Sequence, residues 1–377
     1  MIINLEENIY TRDIKMKIKY ILNLFITTYL SLIPILVLGT ITITNAQTKD
    51  KYLFYDSHFH ITNYIQEGIE MEFYVDSIMS DKIGRSTVFG LPLQQQWSYR
   101  VTGENAPTYY LDTDAPLYYY SFCDAWIAMQ YKSLPKEKQE RLDPMIIGFN
   151  VTDMYAVDHI KRVLKTFPGV FTGIGEFSIH KEFVSAKISG DVASFTDPAL
   201  DRIFDFCAET GLISIIHNDI DNPFPKPNKP NYVKGFQDLI KRHPDAIIIW
   251  AHLGLGRIIK PIEDMGHLFE DMLADPAYNN LYFDLSWDET AKWLDYNDNS
   301  LERTAEIIKK YPDRFLFGTD NVAPDKQEKQ LYVYHLYDRL WKLVGEEVTF
   351  KVSKGNYEKL FDEASAKVRA WEKENLK

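Results

Sequence analysis

Eight short apolar runs recur along the chain from residue 52 onward, and stretches with helical periodicity separate them. The runs span residues 52–60, 86–93, 145–153, 170–178, 212–219, 246–254, 281–288 and 314–321. Most of them are rich in β-branched and aromatic residues without strict alternation, which is typical of strands covered on both faces. Eight strand–helix units of this kind predict an α/β fold, specifically a (β/α)8 TIM barrel. A doubly wound open sheet is the alternative, but no glycine-rich phosphate-binding turn follows the first run.

The N-terminal segment has the three parts of a secretory signal. Residues 20–48 carry no charged side chain, and three lysines lie just before them. The small residue Ala46 closes the apolar stretch and suits cleavage by signal peptidase. We therefore predict a signal peptide over residues 1–46 and a single barrel domain over residues 47–377.

This signal predicts a periplasmic or secreted protein. An uncleaved N-terminal membrane anchor is the alternative, because the uncharged stretch is long enough to cross a bilayer. After cleavage at Ala46, no stable membrane insertion is expected. Met16 lies among the basic residues and would be a more usual start than Met1.

Charge and cysteine content exclude several classes of partner. The formal net charge is −12 at pH 7, which disfavours nucleic acid or an anionic membrane surface as the main partner. The chain contains only Cys123 and Cys207, too few for a disulfide framework or a cysteine-ligated zinc site. The expected partner is a small-molecule substrate.

Side chains of the types that bind metal ions lie near the ends of five of the eight runs. Alternation along a strand places His58 and His60, two residues apart, on the same face. The candidate ligands are His58, His60, Glu176, His217, His252 and Asp320. Because the catalytic groups of a barrel lie at the C-terminal ends of its strands, these side chains are expected to meet. Imidazole and carboxylate ligands without a thiolate favour zinc, with manganese, iron and nickel as alternatives.

Four further residues are candidates for substrate binding. Arg257 follows the sixth run and would bind a substrate carboxylate or phosphate, or else pair with a neighbouring acid. Asn218 and Trp287 lie at strand ends. Trp97 belongs to a long aromatic segment after the second run, and long loops on the catalytic face of a barrel usually shape its pocket.

These motifs resemble those of the amidohydrolase superfamily of metal-dependent hydrolases. "DSHFH" is similar to its first-strand His-x-His motif, and "IIHND", "WAHLG" and "FGTDN" match its ligand positions on strands five, six and eight. "KGNYEKLF" resembles the closing segment of the amidohydrolase-related (amidohydro-2) branch, so the likeness extends from about residue 52 to residue 361. Glu176 in "GIGEFS" departs from the carboxylated lysine of many binuclear members and is similar to the strand-four glutamate of TatD-type hydrolases.

The resemblance implies a role for each candidate ligand. The histidine pair and Asp320 would bind a first divalent ion, and Glu176 would bridge, bind one ion, or hydrogen-bond to a ligand histidine. His217 and His252 would bind a second ion. With one ion, His217 would complete the first site, and His252 would polarise the substrate or carry a proton. Asp320 is the candidate general base, which takes a proton from the attacking water and passes it to the leaving group.

The expected function is that of an exported hydrolase. A metal-activated water would attack a carboxylic ester, lactone or amide. The alternatives are a metal-dependent decarboxylase of the amidohydro-2 branch, a TatD-like phosphodiester hydrolase and a non-enzymatic binding barrel. Members of the family often form dimers or higher oligomers, so a homo-oligomer is also expected.

Overall fold

The computed structural model describes residues 51–63, 67–91, 122–182, 193–223, 225 and 230–376. The predicted signal peptide, with its alternative start at Met16, and Trp97 in the aromatic segment lie outside the described residues. The chain divides into two compact units after Tyr52, and Leu53–Lys377 form the second of them.

The strands of this second unit form one large parallel sheet and one two-stranded sheet. Within the described residues the strands are β1 (Phe54–Asp56), β2 (Phe59–His60), β3 (Ile83–Val88), β4 (Leu142–Ile146), β5 (Gly173–His180), β6 (Ile213–Asn218), β7 (Ile248–Trp250), β8 (Leu281–Asp284), β9 (Phe315–Leu316) and β10 (Asn321–Val322). The large sheet has the order β1-β3-β4-β5-β6-β7-β8-β9, and every neighbouring pair is parallel. β2 pairs with β10, also in parallel. Each of the eight apolar runs therefore contributes one strand to the large sheet.

The large sheet curls until its last strand meets its first. The backbone N–H of Ser57 donates to the carbonyl of Phe317 at 3.0 Å, and that of Asp320 donates to the carbonyl of His58 at 2.8 Å. These bonds join the two edges of the sheet. It therefore has the form of the predicted barrel and not of the doubly wound open sheet.

Two strands begin earlier than their apolar runs indicate. β3 begins three residues before the run at 86–93, and β4 begins three residues before the run at 145–153. Phe89 and Phe149, which lie beyond the ends of these strands, are nevertheless buried. An apolar pattern reports burial rather than backbone pairing, so it continues where the chain leaves the sheet but stays inside the barrel mouth.

Helices follow the strands and cover the sheet. Within the described residues they are α1 (Met71–Phe73), α2 (Phe122–Ser133), α3 (Lys136–Gln139), α4 (Ala156–Thr166), α5 (Pro198–Thr210), α6 (Val233–Arg242), α7 (Met265–Ala274), α8 (Asp288–Leu294), α9 (Asp298–Lys310), α10 (Glu328–Leu336), α11 (Asp338–Val344), α12 (Glu346–Phe350) and α13 (Asn356–Asn375). Turns of π-helix cover Tyr74–Met79 and Lys351–Gly355, and turns of 3-10 helix cover Ala251–Gly254, Pro276–Tyr278 and Pro312–Arg314. In the part of the chain that the structure describes, no helix is both long and apolar enough to cross a membrane.

Helix α5 shows how the local sequence sets these elements. Pro198 occupies the first turn, where its fixed φ suits a helix and its missing N–H needs no partner. Gly211 ends the helix in the left-handed conformation, with φ of 82°. Leu200, Ile203 and Cys207 recur at helical spacing and are buried, so α5 presents one apolar face to the core.

A cluster of Arg85 from β3, Asp143 from β4 and Tyr357 from α13 attaches the C-terminal helix to the start of β4. Arg85 donates to both carboxylate oxygens of Asp143, at 3.1 and 2.9 Å, and the hydroxyl of Tyr357 donates to the same carboxylate at 2.7 Å. This end of the barrel is therefore closed by the chain itself. The opposite end, where the strands terminate, carries the candidate ligands.

Candidate metal centre

Six titratable side chains meet at the C-terminal ends of the barrel strands. They are His58 and His60 after β1, Glu176 in β5, His217 in β6, His252 after β7 and Asp320 before β10. The five residues other than Asp320 are at most 1% exposed, and the side chain of Asp320 is 10% exposed. The structure thus brings together every side chain that was predicted as a ligand.

The two histidines of the first strand are oriented through their Nδ1 atoms. His58 Nδ1 lies 2.7 Å from Asp284 Oδ2, and His60 Nδ1 lies 3.0 Å from the carbonyl oxygen of Gly90. An acceptor at Nδ1 keeps the ring proton there and leaves a lone pair on Nε2. Both Nε2 atoms face Asp320 Oδ1, at 3.3 Å from His58 and 3.1 Å from His60.

Glu176 connects the two halves of the centre through its two carboxylate oxygens. Oε2 lies 3.5 Å from His60 Nε2 and 3.9 Å from His58 Nε2. Oε1 lies 2.6 Å from His217 Nδ1 and 3.3 Å from His252 Nε2. This arrangement suits a carboxylate that bridges two cations, and it equally suits one that orients ligand histidines by hydrogen bonds.

Further side chains form hydrogen bonds with the ring nitrogens of His217 and His252 that face away from Glu176. His217 Nε2 lies 3.1 Å from Asp219 Oδ1, and His252 Nδ1 lies 2.7 Å from Ser286 Oγ. Ser286 Oγ donates to Asp284 Oδ2 at 2.7 Å, so it accepts from His252 Nδ1. His252 Nε2 is thereby left with a lone pair directed at Glu176.

Lone pairs on imidazole nitrogens therefore face lone pairs on carboxylate oxygens across the centre. The Nε2 atoms of His58, His60 and His252 point at carboxylate oxygens, and such contacts are favourable only when protons or a cation lie between the two atoms. His58 Nε2 is buried without a hydrogen-bond partner among the described residues. Three sets of side chains within those residues have donor atoms within 4.8 Å of one another: His58, His60 and Glu176; Glu176, His217 and His252; and His58, His252 and Asp284. Imidazole nitrogens with carboxylate oxygens form a donor set that fits a divalent ion such as zinc.

The electrostatics of the centre favour positive charge at His60, while burial lowers the pKa of His252. Burial raises the pKa of Asp320, but the imidazoles of His252 and His60 outweigh it and hold the pKa well below its usual value. The pKa of Glu176 is also held well below its usual value, because the Lys181 ammonium and nearby imidazoles outweigh burial. Burial lowers the pKa of His60, yet hydrogen bonds to Asp320 and Glu176 raise it to about 9. A field that stabilises an imidazolium in this way would also stabilise a divalent cation.

Four residues around the centre have a positive φ, which L-residues rarely adopt. φ is 57° at His252 and Leu253, 81° at Trp287 and 54° at Asp320. Side-chain-bearing residues avoid this region at a cost of about 1 kcal/mol or more each. Such strain persists where the surrounding structure requires a particular side-chain position. In this chain it directs His252 and Asp320 into the centre.

A cavity of about 620 Å³ opens at the centre. Its lining includes His60, Asp320, Lys181, Arg257 and Trp287. The Arg257 guanidinium lies 5.5 Å from the ring centroid of Trp287 and 3.8 Å from the carboxylate of Glu289. Arg257 therefore lies in the cavity lining, where a substrate-binding residue would lie, and it also pairs with a neighbouring acid.

Asn218 occupies an internal position. It is fully buried, its Oδ1 lies 2.9 Å from His180 Nδ1, and its Nδ2 donates to the carbonyl of Asp219 at 3.0 Å. It does not line the cavity that the described residues form. Substrate contacts of Asn218, and of Trp97 outside the described residues, stay predictions.

Sequence reasoning did not include Asp284, Ser286 or Lys181. Asp284 ends β8 in "LYFDLS", so the strand-end rule that selected the other ligands would have found it. Lys181 directly follows β5, and its Nζ lies 3.5 Å from Glu176 Oε2. No spacing rule indicates the contact between Lys181 and Glu176, because it depends on how the chain turns after β5.

Replacing Asp284 by Asn is expected to weaken zinc binding about 10–100-fold, the range for loss of a group that orients a ligand histidine. The amide would still fill the space but would attract the His58 Nδ1 proton less strongly, and Nε2 would be less basic. Competition titration against a zinc-chelating dye measures the effect. Asp313→Asn, which removes a carboxylate paired with Lys351 at 2.9 Å, is the control and should leave zinc affinity unchanged. Equal affinities in the two variants would contradict the role assigned to Asp284.

Comparison with known proteins gives a family for this arrangement. Residues 55–368 match the amidohydrolase family model of the amidohydro-2 type. No curated protein matches the chain significantly. Among solved structures, the chain is similar to an amidohydrolase II, at 13% identity and a TM-score of 0.50, with 82% of this chain and 99% of that chain covered. It is also similar to 2,6-dihydroxybenzoate decarboxylase from Rhizobium, at 14% identity and a TM-score of 0.49, with 82% and 99% covered. A dihydroorotase from Campylobacter jejuni matches at 14% identity and a TM-score of 0.47, with 82% and 83% covered.

Proposed function

The chain belongs to the amidohydrolase family, and we propose that it is a metal-dependent hydrolase that cleaves a carboxylic ester, lactone or amide with a metal-activated water. The convergence of imidazole and carboxylate lone pairs at the floor of the cavity carries this proposal. A cluster of this kind, buried and held from behind by Asp284 and Ser286, has the chemistry of a metal centre.

The six converging residues would hold one or two divalent ions. His58, His60 and Asp320 would bind the first ion, with Oε2 of Glu176 beside them. His217 and His252 would bind a second ion or assist at the side of a single one. Zinc suits these donors best, with manganese, iron and nickel as alternatives. When bound, such an ion lowers the pKa of water from about 15.7 to about 7 and polarises the scissile carbonyl.

Asp320 would act as the general base. Its low pKa keeps the carboxylate ionised at neutral pH, so it can accept a proton from the attacking water. It borders the cavity, where the same carboxyl group can pass that proton to the leaving group. His252 would polarise the substrate carbonyl or carry a proton, since its Nε2 lies 3.9 Å from Asp320 Oδ2.

Substrate recognition would fall to the cavity walls. Arg257 presents a planar cation that can bind a carboxylate at two points, and the indole of Trp287 offers an apolar face beside it. Both line the cavity. These two side chains together would suit a small substrate with an anionic group and a planar apolar part.

A metal-dependent decarboxylase is the second candidate. The observation that favours it is the presence of cationic side chains in the lining of the same cavity, among them Lys181 and Arg257. Either cation would hold a substrate carboxylate close to the centre. The C–C bond to that carboxylate would break with release of carbon dioxide, and the carbon, which keeps the bonding electron pair, would take up a proton in its place; this step would replace hydrolysis.

We also propose that the protein is exported after cleavage behind Ala46. The basic, uncharged and small-residue parts of the N-terminal segment support this proposal. Mass spectrometry of the secreted form should find Gln47 at its N-terminus. A protein that keeps the segment in the membrane fraction would support the anchored alternative.

Elemental analysis combined with a substrate panel tests the proposed function. We expect at least one zinc per chain after purification without chelator or a metal-affinity step, and turnover of an ester, lactone or amide that dipicolinate abolishes and zinc restores. Carbon dioxide release from an aromatic or unsaturated acid, without hydrolysis, would favour the decarboxylase. A chain that binds no metal after reconstitution with zinc or manganese would overturn both.

A further inference from the structure

Glu182 connects the end of β5 to the loop that carries Arg257. It lies two residues beyond that strand, and it is only 6% exposed although it borders the cavity. Its Oε1 accepts from the backbone N–H of Arg257 at 2.8 Å and from that of Ile258 at 3.4 Å. A buried carboxylate needs hydrogen-bond donors from the protein, and this loop supplies two of them to Glu182.

The loop of residues 255–264 links the 3-10 turn after β7 to α7 without a helix or strand of its own. The N–H of Gly256 donates to the carbonyl of Ile259 at 3.1 Å, and the carbonyl of Gly256 accepts from Trp293 Nε1 at 2.8 Å. A Cβ at position 256 would lie 3.2 Å from Glu182 Oε1, so the glycine lets the loop pack closely against that carboxylate. The next two backbone N–H groups are those that donate to Glu182.

The backbone of Glu182 is itself fixed from the side of the centre. Its φ is 46°, which a residue with a side chain rarely adopts. Its N–H donates to Oδ2 of the buried Asp219, whose Oδ1 lies 3.1 Å from His217 Nε2. A continuous series of hydrogen bonds thus leads from a candidate metal ligand to the backbone of Arg257. The loop is anchored to the same part of the barrel as the centre.

We propose that Glu182 is a positioning residue for substrate binding, because its carboxylate fixes the loop that presents Arg257 to an anionic group of the substrate. The inference rests on the proposed function and specifies what holds its substrate-binding cation in place. The side chain of Arg257 is 42% exposed, and its guanidinium lies 5.5 Å from the ring centroid of Trp287. A half-exposed cation with a fixed backbone loses less conformational freedom when it binds an anion.

Two variants separate the reach of Glu182 from its charge. Glu182→Asp keeps the charge and tolerates the positive φ, but it is one methylene shorter and cannot keep the 2.8 Å bond to Arg257. Glu182→Gln removes the charge but keeps a side-chain oxygen that accepts from the same N–H. Positioning predicts that only Glu182→Asp weakens the binding of an anion. An effect of charge predicts the reverse, with tighter binding in Glu182→Gln.

Isothermal titration of the zinc-loaded chain with benzoate, a planar carboxylate, measures this effect, and the uncharged benzamide is the control ligand. We expect Glu182→Asp to weaken benzoate binding at least about fivefold and to change benzamide binding less than about twofold. Glu182→Gln should change neither by more than about twofold. In an Arg257→Met background, Glu182→Asp should have no further effect on benzoate binding, because the cation that Glu182 positions is gone.

Glu328→Gln is the matched control variant. Glu328 lines the same cavity from the exposed face of α10, and its loss should leave benzoate affinity within about twofold of the wild type. Hydrogen exchange gives a second measurement, which needs no ligand. The amides of Arg257 and Ile258 should exchange at least about tenfold faster in Glu182→Asp than in the wild type, and at the wild-type rate in Glu182→Gln.

Unchanged amide exchange in Glu182→Asp would overturn the inference. So would unchanged benzoate affinity in that variant beside a loss in Arg257→Met, and the role of Arg257 would then stand. Equal benzoate affinity in the wild type and Arg257→Met would contradict substrate binding by Arg257 and overturn the inference with it. If Glu182→Asp does not fold, weaker benzoate binding or faster exchange in Glu182→Gln would still overturn it. The zinc content of each sample records a failure of the metal centre separately.

Discussion

Replacing Asp320 by Asn is expected to lower kcat about 10³-fold or more while the barrel stays folded. General-base catalysis contributes about 10²–10⁴-fold, and the amide can neither accept the proton of the attacking water nor pass it on. The variant also loses an anionic oxygen that lies 3.3 Å from His58 Nε2 and 3.1 Å from His60 Nε2. Both losses act on the same step, so a large effect is expected.

Steady-state kinetics at saturating zinc separates these two losses. Asp288→Asn is the matched control, because Asp288 lines the same cavity but pairs with Lys292 at 3.0 Å on an exposed helix face. We expect a change of less than about twofold in that variant, since exposed ion pairs contribute little. Full turnover by zinc-loaded Asp320→Asn would remove Asp320 as the base.

Replacing Glu176 by Gln is expected to weaken zinc binding at least tenfold and to lower the free energy of unfolding by about 3–5 kcal/mol, the usual cost of removing one partner of a buried charge pair. The neutral amide would remove the carboxylate charge that lies 3.5 Å from the buried Lys181 ammonium. It would also place an N–H₂ group against His217 or His252, where Glu176 Oε1 now lies at 2.6 and 3.3 Å.

A double-mutant cycle with Lys181→Met isolates the charge pair. Urea unfolding of metal-free protein should show that Glu176→Gln combined with Lys181→Met is less destabilised than Glu176→Gln alone, because the ammonium that loses its contact with Glu176 is gone as well. Zinc affinity should stay low in the double variant, since the carboxylate is still missing. Strictly additive changes in the free energy of unfolding would mean that the two side chains do not interact.

The barrel was predictable because its signal is repeated eight times. Each strand buried on both faces has its own apolar run, and the expected (β/α)8 order appears in the parallel sheet. The ends of the strands were less predictable, as β3 and β4 show. Burial continues past the last paired residue there, so hydrophobicity alone marks the wrong boundary.

The candidate ligands were predictable for a related reason. His58 and His60 alternate within the first apolar run, and Glu176, His217 and His252 lie near the ends of runs that must end on the same side of a parallel barrel. Their convergence is therefore a consequence of topology. Their roles as ligands stay predictions that the zinc content of the purified chain tests, and the substrate contacts of Arg257 and Trp287 also stay predictions.

The sequence by itself determined which chemical groups lie at the mouth of the barrel, because strand direction and alternation are local properties that add up to a common face. Only the tertiary structure decided which atoms of those groups meet. Asp284 orients His58, Ser286 links Asp284 to His252, and Lys181 pairs with Glu176. The contacts of Asp284 with His58 and of Ser286 with His252 depend on side-chain directions from strands far apart in the chain. No local pattern carries that information, since each hydrogen bond forms only after the sheet has curled.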